Sequence, residues 1–178
     1  MAQFVTIATN STVTRIFWPL AMVCTMTLGG CSNGPTVVDG SMPVEISGRT
    51  FMLEIVADDE SRTLGLGGRE SLDPDKGMLF SFPDARLRRF VMRDCLIDID
   101  IIYLDAAGRI VAMHAMEVEE PQGPGESQYD YEMRLKKYPS RYNAQYVIEL
   151  LGGTLETLDL EEGETIELDT AYLQSITQ

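Results

Sequence analysis

Histidine, tryptophan and cysteine are almost absent from this 178-residue chain, which has one, one and three of them. A single histidine, His114, and so few thiols leave no ligand set for a zinc cluster. Asp98, Asp100 and Asp105 lack the alternating loop of a calcium hand. Basic residues are also in deficit: 14 Lys and Arg stand against 28 Asp and Glu, a formal net charge of −14. Such a chain repels polyanions, so nucleic acid is not an expected partner, and anionic lipid head groups offer no foothold through charge. A phosphate-cradling glycine loop is missing too. Gly65-Leu66-Gly67-Gly68 follows a helix-forming stretch instead of opening one, so it is not a dinucleotide motif. Neither a metal nor an organic cofactor is expected.

What is present begins with an apolar stretch. Arg15 precedes a run from Ile16 to Leu28 that is shorter than the roughly 20 apolar residues a membrane-spanning helix needs. Its length suits the apolar region of an export signal. The run ends in Leu28-Gly29-Gly30-Cys31, which resembles the lipobox of bacterial lipoproteins: a leucine, two small residues, then the acylated cysteine. Residues 1–30 are therefore expected to be a lipoprotein signal peptide and Cys31 the lipidation site. An ordinary secretory signal and a buried N-terminal strand are the alternatives. Residues 31–42 are small, polar and turn-rich, as in a flexible tether. The expected location is the cell membrane or outer membrane, lipid-anchored and facing the periplasm or exterior. Ser32 stands where an Asp would resemble an inner-membrane retention signal, which tilts the expectation toward the outer membrane.

Cys24 would leave with the signal and Cys31 would carry the lipid. Cys95 then remains as a lone thiol, with no intradomain disulfide and the character of a buried, inert core residue.

A single domain is expected over residues 43–170, with 171–178 as a C-terminal tail. Residues 51–56, 77–82, 88–93, 146–150 and 164–168 read as strands. Asp58 caps a short helix whose first turn carries Asp59 and Glu60. The clearest element is a hairpin: residues 97–104 and 109–113 flank Asp105-Ala106-Ala107-Gly108, with glycine where positive φ is tolerated. Residues 154–160 read as a second short helix, and 117–145 as a long polar connection. Many short strands and two short helices predict a compact, mainly β sandwich or barrel.

Several segments together resemble the prokaryotic family called domain of unknown function 192. They are Ser61-Arg62-Thr63-Leu64-Gly65-Leu66, Arg69, Leu72, Gly77-Met78-Leu79-Phe80-Ser81-Phe82, and residues 90–101 from Phe90 through Asp100-Ile101. Asp105, Gly108, Tyr138-Pro139, residues 146–150, Gly153 and Gly163 complete the pattern. The family usually has Met at position 67, Trp at 91, Thr at 95 and Pro at 98, where this chain has Gly67, Val91, Cys95 and Asp98. The resemblance implies a β-rich domain, often exported, and brings no catalytic residue or cofactor with it.

Two constellations could carry function. Asp98 and Asp100 share a strand face about 7 Å apart, a spacing compatible with carboxylate hydrolysis of a glycoside. The family pattern keeps Asp100 but not Asp98. Asp100 with Glu149, as acid and base of an envelope carbohydrate hydrolase, is therefore the enzymatic alternative. In the other reading these acids receive Arg69 or Arg93 in a partly buried network. Separately, Arg86, Arg88, Arg89 and Arg93 form one basic group, while Arg134, Lys136, Lys137 and Arg141 are interleaved with Tyr129, Tyr131, Tyr138 and Tyr142. These could face a saccharide or another protein's acids, or could neutralise the chain's own carboxylates. A Ser-His-Asp or Cys95–His114 arrangement has only His114, at the end of an apolar strand, to work with.

The leading expectation is an envelope binding or accessory module that uses Arg69, Arg93, Asp100, Glu149 and Tyr138 to hold a ligand or partner. A purely structural assembly protein is a further alternative. Cys31→Ala is expected to leave the protein soluble and its precursor uncleaved at Gly30, read by cell fractionation and the mass of the N-terminal peptide. Membrane retention of that variant would count against the anchor.

Overall fold

The alternation seen in the sequence builds a central sheet. The computed structural model describes residues 37–178, so the export segment, Cys31 and the tether through residue 36 lie outside the described residues. Eight strands appear in chain order: β1 (Ser41–Ile46), β2 (Arg49–Val56), β3 (Lys76–Arg86), β4 (Arg89–Phe90), β5 (Ile99–Leu104), β6 (Ile110–Met116), β7 (Tyr138–Pro139) and β8 (Ala144–Leu151). Three short helices join them: α1 (Asp59–Leu64), α2 (Gln128–Arg134) and α3 (Thr170–Ile176). Six strands form one sheet in the order β1-β2-β3-β8-β5-β6, and β4 pairs with β7 in a second, two-stranded sheet. The fold is mainly β and sandwich-like, with no closed barrel among the described residues.

The pairings follow from local turns. Ser47 and Gly48, both with positive φ, make the two-residue turn of the β1–β2 hairpin, whose twist matches that of the strands. β2 and β3 run parallel, which requires a crossover, and α1 lies in it. The β5–β6 hairpin closes as expected: Asp105 accepts the Ala107 and Arg109 N–H groups, and Gly108 takes φ 79°.

Both sheet faces are buried. One face carries Leu53, Leu79, Ile102, Ile148 and Leu150 and is covered by Leu158, Ile166 and Leu173. The other carries Met78, Phe80, Ile101, Tyr103 and Val147 and is covered by Leu66, Met92, Cys95 and Tyr138.

Several expected boundaries differ. Residues 171–178 are not a tail, because they contain most of α3, whose Leu173 is fully buried. The end of the expected tether is part of the fold: Val38 bridges Ser41, and Met42 is buried. The expected helix over 154–160 is a single 3-10 turn at Leu155–Thr157, because Leu158 turns extended and enters the core. Residues 164–168 make one bridge, Thr165 to Arg109, in place of a strand. The expected strand over 88–93 shrinks to Arg89–Phe90, because Met92 turns into the core and Asp94 takes positive φ. The long connection contains β7 and α2, which is capped by Ser127 and pinned by buried Tyr131.

Gly77 marks the tightest point in the sheet. A Cβ there would lie 2.5 Å from the Glu149 carbonyl oxygen and 2.8 Å from both the Leu150 and Leu53 side chains. Gly77→Ala is expected to destabilise the full chain by about 2–3 kcal/mol, as overpacking does. Urea denaturation followed by circular dichroism measures this, and an unchanged midpoint would refute it.

Candidate functional site

β8 is hydrogen-bonded to β3 on one edge and β5 on the other, so every residue along it is committed to one face or the other. Glu149 stands opposite Met78 on β3 and Ile101 on β5, and therefore shares their face. Its neighbour Leu150 stands opposite Asp100 on β5. Asp100 and Glu149 consequently point to opposite faces of the sheet. No substrate can lie between them, so the expected acid–base pair is not assembled.

Asp100 is 1% exposed and works within the fold. Its Oδ2 accepts the Leu155 N–H at 2.7 Å, which fixes the chain as it leaves β8. Burial raises its pKa, opposed mainly by the amides of Leu155 and Thr154. Asp98 is also spent locally, accepting the Val118 N–H at 2.8 Å.

Glu149 lines a cleft of 390 Å³, a size that suits a small molecule. Only 5% of the residue is exposed, and its Oε2 has no hydrogen-bond partner. The cleft opens between the end of α1, strand β3 and the segment around β4. Gly65 ends α1 with φ 54°, and a Cβ there would stand 3.6 Å from Glu149 Oε2 and 3.5 Å from Phe80 Cζ. Gly65 therefore packs close over the carboxyl, with room for no more than an ordinary van der Waals contact. Phe80 and Phe90 meet edge to face at 5.2 Å, and Phe90 meets Tyr103 at 5.7 Å, which stiffens the aromatic wall. Phe82 is held between the Arg88 guanidinium at 3.4 Å and that of Arg62 at 5.2 Å.

The cleft is dry enough to change acidities. Burial pushes the Glu149 carboxyl up to about 8, against the opposing pull of the Leu66 amide and the Arg69 charge. Burial, helped by the Glu149 and Asp94 charges, pushes the Cys95 thiol up to about 12, so this thiol is no nucleophile near neutral pH. Burial and Glu149 also raise Tyr103.

The other expected site residues scatter. Arg93 lines the cleft but pairs with Glu132 on α2, with Nη2 donating to Oε2 at 2.8 Å. Arg69 pairs with Glu54 at 2.6 Å. Tyr138 is 3% exposed, and its carbonyl accepts the Tyr103 hydroxyl at 2.6 Å. His114 reaches the Pro139 carbonyl at 2.8 Å. Most of the second basic group is occupied: Arg134 holds Glu126 at 2.7 Å, Arg141 holds Glu162 at 3.1 Å, and Lys137 meets the last α2 carbonyls. Tyr131 is buried, while Tyr129 and Tyr142 remain exposed.

The charges and glycines of the cleft were only partly foreseen. Gly65, Leu66, Phe80 and Phe90 were recognised as parts of the family pattern, without a role. The signal lay in that pattern, since residues 61–66, 77–82 and 90–95 all contribute to the lining. Three of the departures from it, Gly67, Val91 and Cys95, also line the cleft.

Glu149 makes stability pH-dependent. Its folded pKa lies above the ordinary value of about 4.3, so the folded state holds the proton more tightly. Its contribution is complete below that ordinary value and is lost as pH rises toward about 8. Asp100, also raised, acts in the same direction. The wild-type Tm is expected to drop between about pH 5 and about pH 9, and Glu149→Gln to lessen the drop. Parallel pH profiles for the two proteins, by scanning calorimetry, would contradict this.

No curated protein matches the sequence. Two solved structures are similar. One is a putative transcription regulator from Sinorhizobium meliloti 1021, 28% identical, with a TM-score of 0.56 over 70% of this chain and 89% of that one. The other is a protein of unknown function from Novosphingobium aromaticivorans, 23% identical, with a TM-score of 0.60 over 77% and 94% of the two chains. The second likeness concerns the fold alone. The model of domain of unknown function 192, described as "Uncharacterized ACR", matches residues 42–168, and with that span of shared pattern the chain belongs to this family.

Proposed function

We propose that this chain is a binding module of the cell envelope, tethered to a membrane through a lipid on Cys31, which takes a small ligand into the cleft over Glu149. One observation carries the reading: Glu149, 5% exposed, lines an open cleft, and its buried Oε2 lacks a hydrogen-bond partner, as do Arg93 Nε in the same lining and Asp100 Oδ1 across the sheet. A buried polar atom left unsatisfied is costly, so a partner from outside the chain is the natural completion. The aromatic wall of the cleft supports it.

The hydrolase reading has no geometric support, because Asp100 lies across the sheet from Glu149. The surface formed by the second basic group is weakened as a saccharide or protein site, since most of its charges meet the chain's own acids or carbonyls. The word regulator in one neighbour's description gains nothing here, because the net charge of −14 opposes approach to DNA.

The test is a diverse small-molecule library screened by protein-observed amide correlation NMR against the full chain in detergent, at neutral pH. Hits are expected to shift the amides of Gly65, Leu66 and Gly67. If no compound binds, or if all hits shift amides elsewhere, the cleft is not a binding site.

A further inference from the structure

The cleft is sharply polarised, and that polarity selects its ligand. Four arginines line it, Arg62, Arg86, Arg89 and Arg93, against two acids, Asp59 and Glu149. Two of the four are already engaged. Arg62 donates to Asp59 at 2.8 Å and to the Ser81 and Gln178 carbonyls, and Arg93 is paired with Glu132. Arg86 is two-thirds exposed, and its neighbour Asp84, at 3.5 Å, lies closer to Arg88, at 3.0 Å. Arg89 is exposed and has no carboxylate partner among the described residues. The mouth therefore keeps positive charge, only part of it met by Asp84, on a chain whose net charge is −14.

Inward from that mouth the lining turns apolar. Phe80 and Leu66 are fully buried or nearly so, and Phe90 packs on them from the β4 side. Deeper in, the cations are already paired, Arg69 with Glu54 and Arg93 with Glu132. An anionic group placed beside Glu149 would lose its hydration and gain little from cations already neutralised. An ammonium there would require an ionised Glu149 in a dry site, approached past two guanidinium groups.

Resting on the binding role proposed above, we infer that the cleft takes an amphipathic anion: a small carboxylate or phosphate monoester with an apolar, preferably aromatic body. Its charged group meets Arg86 and Arg89, its ring lies against the part-exposed Phe90, which is backed by the buried Phe80, and an uncharged acceptor at its far end hydrogen-bonds the Glu149 carboxyl. The carboxyl, held protonated by its burial near neutral pH, is the donor.

Three probes separate this from its rivals. They are 4-acetylbenzoate, which has all three parts, its methyl ester, which lacks the charge, and benzylammonium, which reverses it. Affinities are read from amide shifts of Gly65, Leu66 and Gly67 in the full chain in detergent. Acetylbenzoate is expected to bind at least about tenfold more tightly than either of the others. The double variant Arg86→Gln, Arg89→Gln is expected to weaken it by a similar factor, and both exposed positions tolerate the change. Glu149→Gln, which keeps a donor, should hold affinity within about threefold, whereas Glu149→Leu should lose about tenfold.

Preference for benzylammonium, or loss of binding in Glu149→Gln alone, would replace the anion with a cation paired to an ionised Glu149 and overturn the inference. Equal binding of acid and ester would do the same. If none of the three binds while library hits still shift the cleft amides, the ligand class is wrong and the binding role stands. If the library also fails, both fall together.

Discussion

A carboxyl sits in the middle of a strand that is hydrogen-bonded on both edges and covered on both faces, and the rest of the molecule is arranged around that constraint. β8 is buried from Ala144 to Leu150. Its even-numbered residues Tyr146, Ile148 and Leu150 belong to one core, and Val147 to the other. Glu149 interrupts the second pattern. An ionised carboxylate there would be expensive, and the protein answers by burial that keeps it protonated near neutral pH rather than by a buried counter-ion. The covering elements close over that face through Leu66, Met92 and Tyr138, with Gly65 packed close above the carboxyl and the cleft beside it.

The two acids that invited a catalytic reading illustrate how strand register decides chemistry. Asp100 and Glu149 are on adjacent antiparallel strands, and both are almost wholly buried. A shift of one residue in pairing would have placed them on the same face. In the register found, Asp100 faces Leu150 and organises the loop after β8, where Gly152 packs so tightly that a Cβ would meet Asp98 at 2.5 Å. One carboxyl is a structural clasp and the other borders open space. Their chemistry differs because of what lies across each face, although the residues are much alike.

The sheet was largely legible in the sequence because β2, β3, β5, β6 and β8 are dense in β-branched and aromatic residues between turn signals. The β5–β6 hairpin followed directly from Asp105 and Gly108. What the sequence concealed was held by long-range contacts. α2 lies in a polar stretch and is fixed by Tyr131, whose hydroxyl meets Asp94 some way back in the chain. α3 depends on Leu173 reaching the core. Arg88 looked like one of a row of surface charges, yet it is buried, donates to the Ala144 carbonyl at 2.8 Å and stacks on Phe82. Of the five residues expected together, Glu149 and Arg93 line one cleft, whereas Arg69 pairs with Glu54 and the sheet faces and the core hold Asp100 and Tyr138 apart from it.

The distribution of arginine carries the last step. A chain this acidic has few cations to spend, and most of those it has are held by nearby carboxylates or carbonyls: Arg49 by Asp75, Arg69 by Glu54, Arg93 by Glu132, Arg134 by Glu126. Exposed pairs of this kind contribute little to stability, about 0–1 kcal/mol each, so they chiefly neutralise local charge. Against that background Arg86, in a long pair with Asp84, and Arg89, which like Arg109 and Lys136 forms no ion pair among the described residues, lie exposed together at one cleft. Exposed cations on an otherwise negative surface focus the local field, raising the encounter rate of a small anion there while the remainder of the chain repels it. Exposed arginines, aromatic rings and the Glu149 carboxyl line one cleft, and each alone would be unremarkable for a domain of this size.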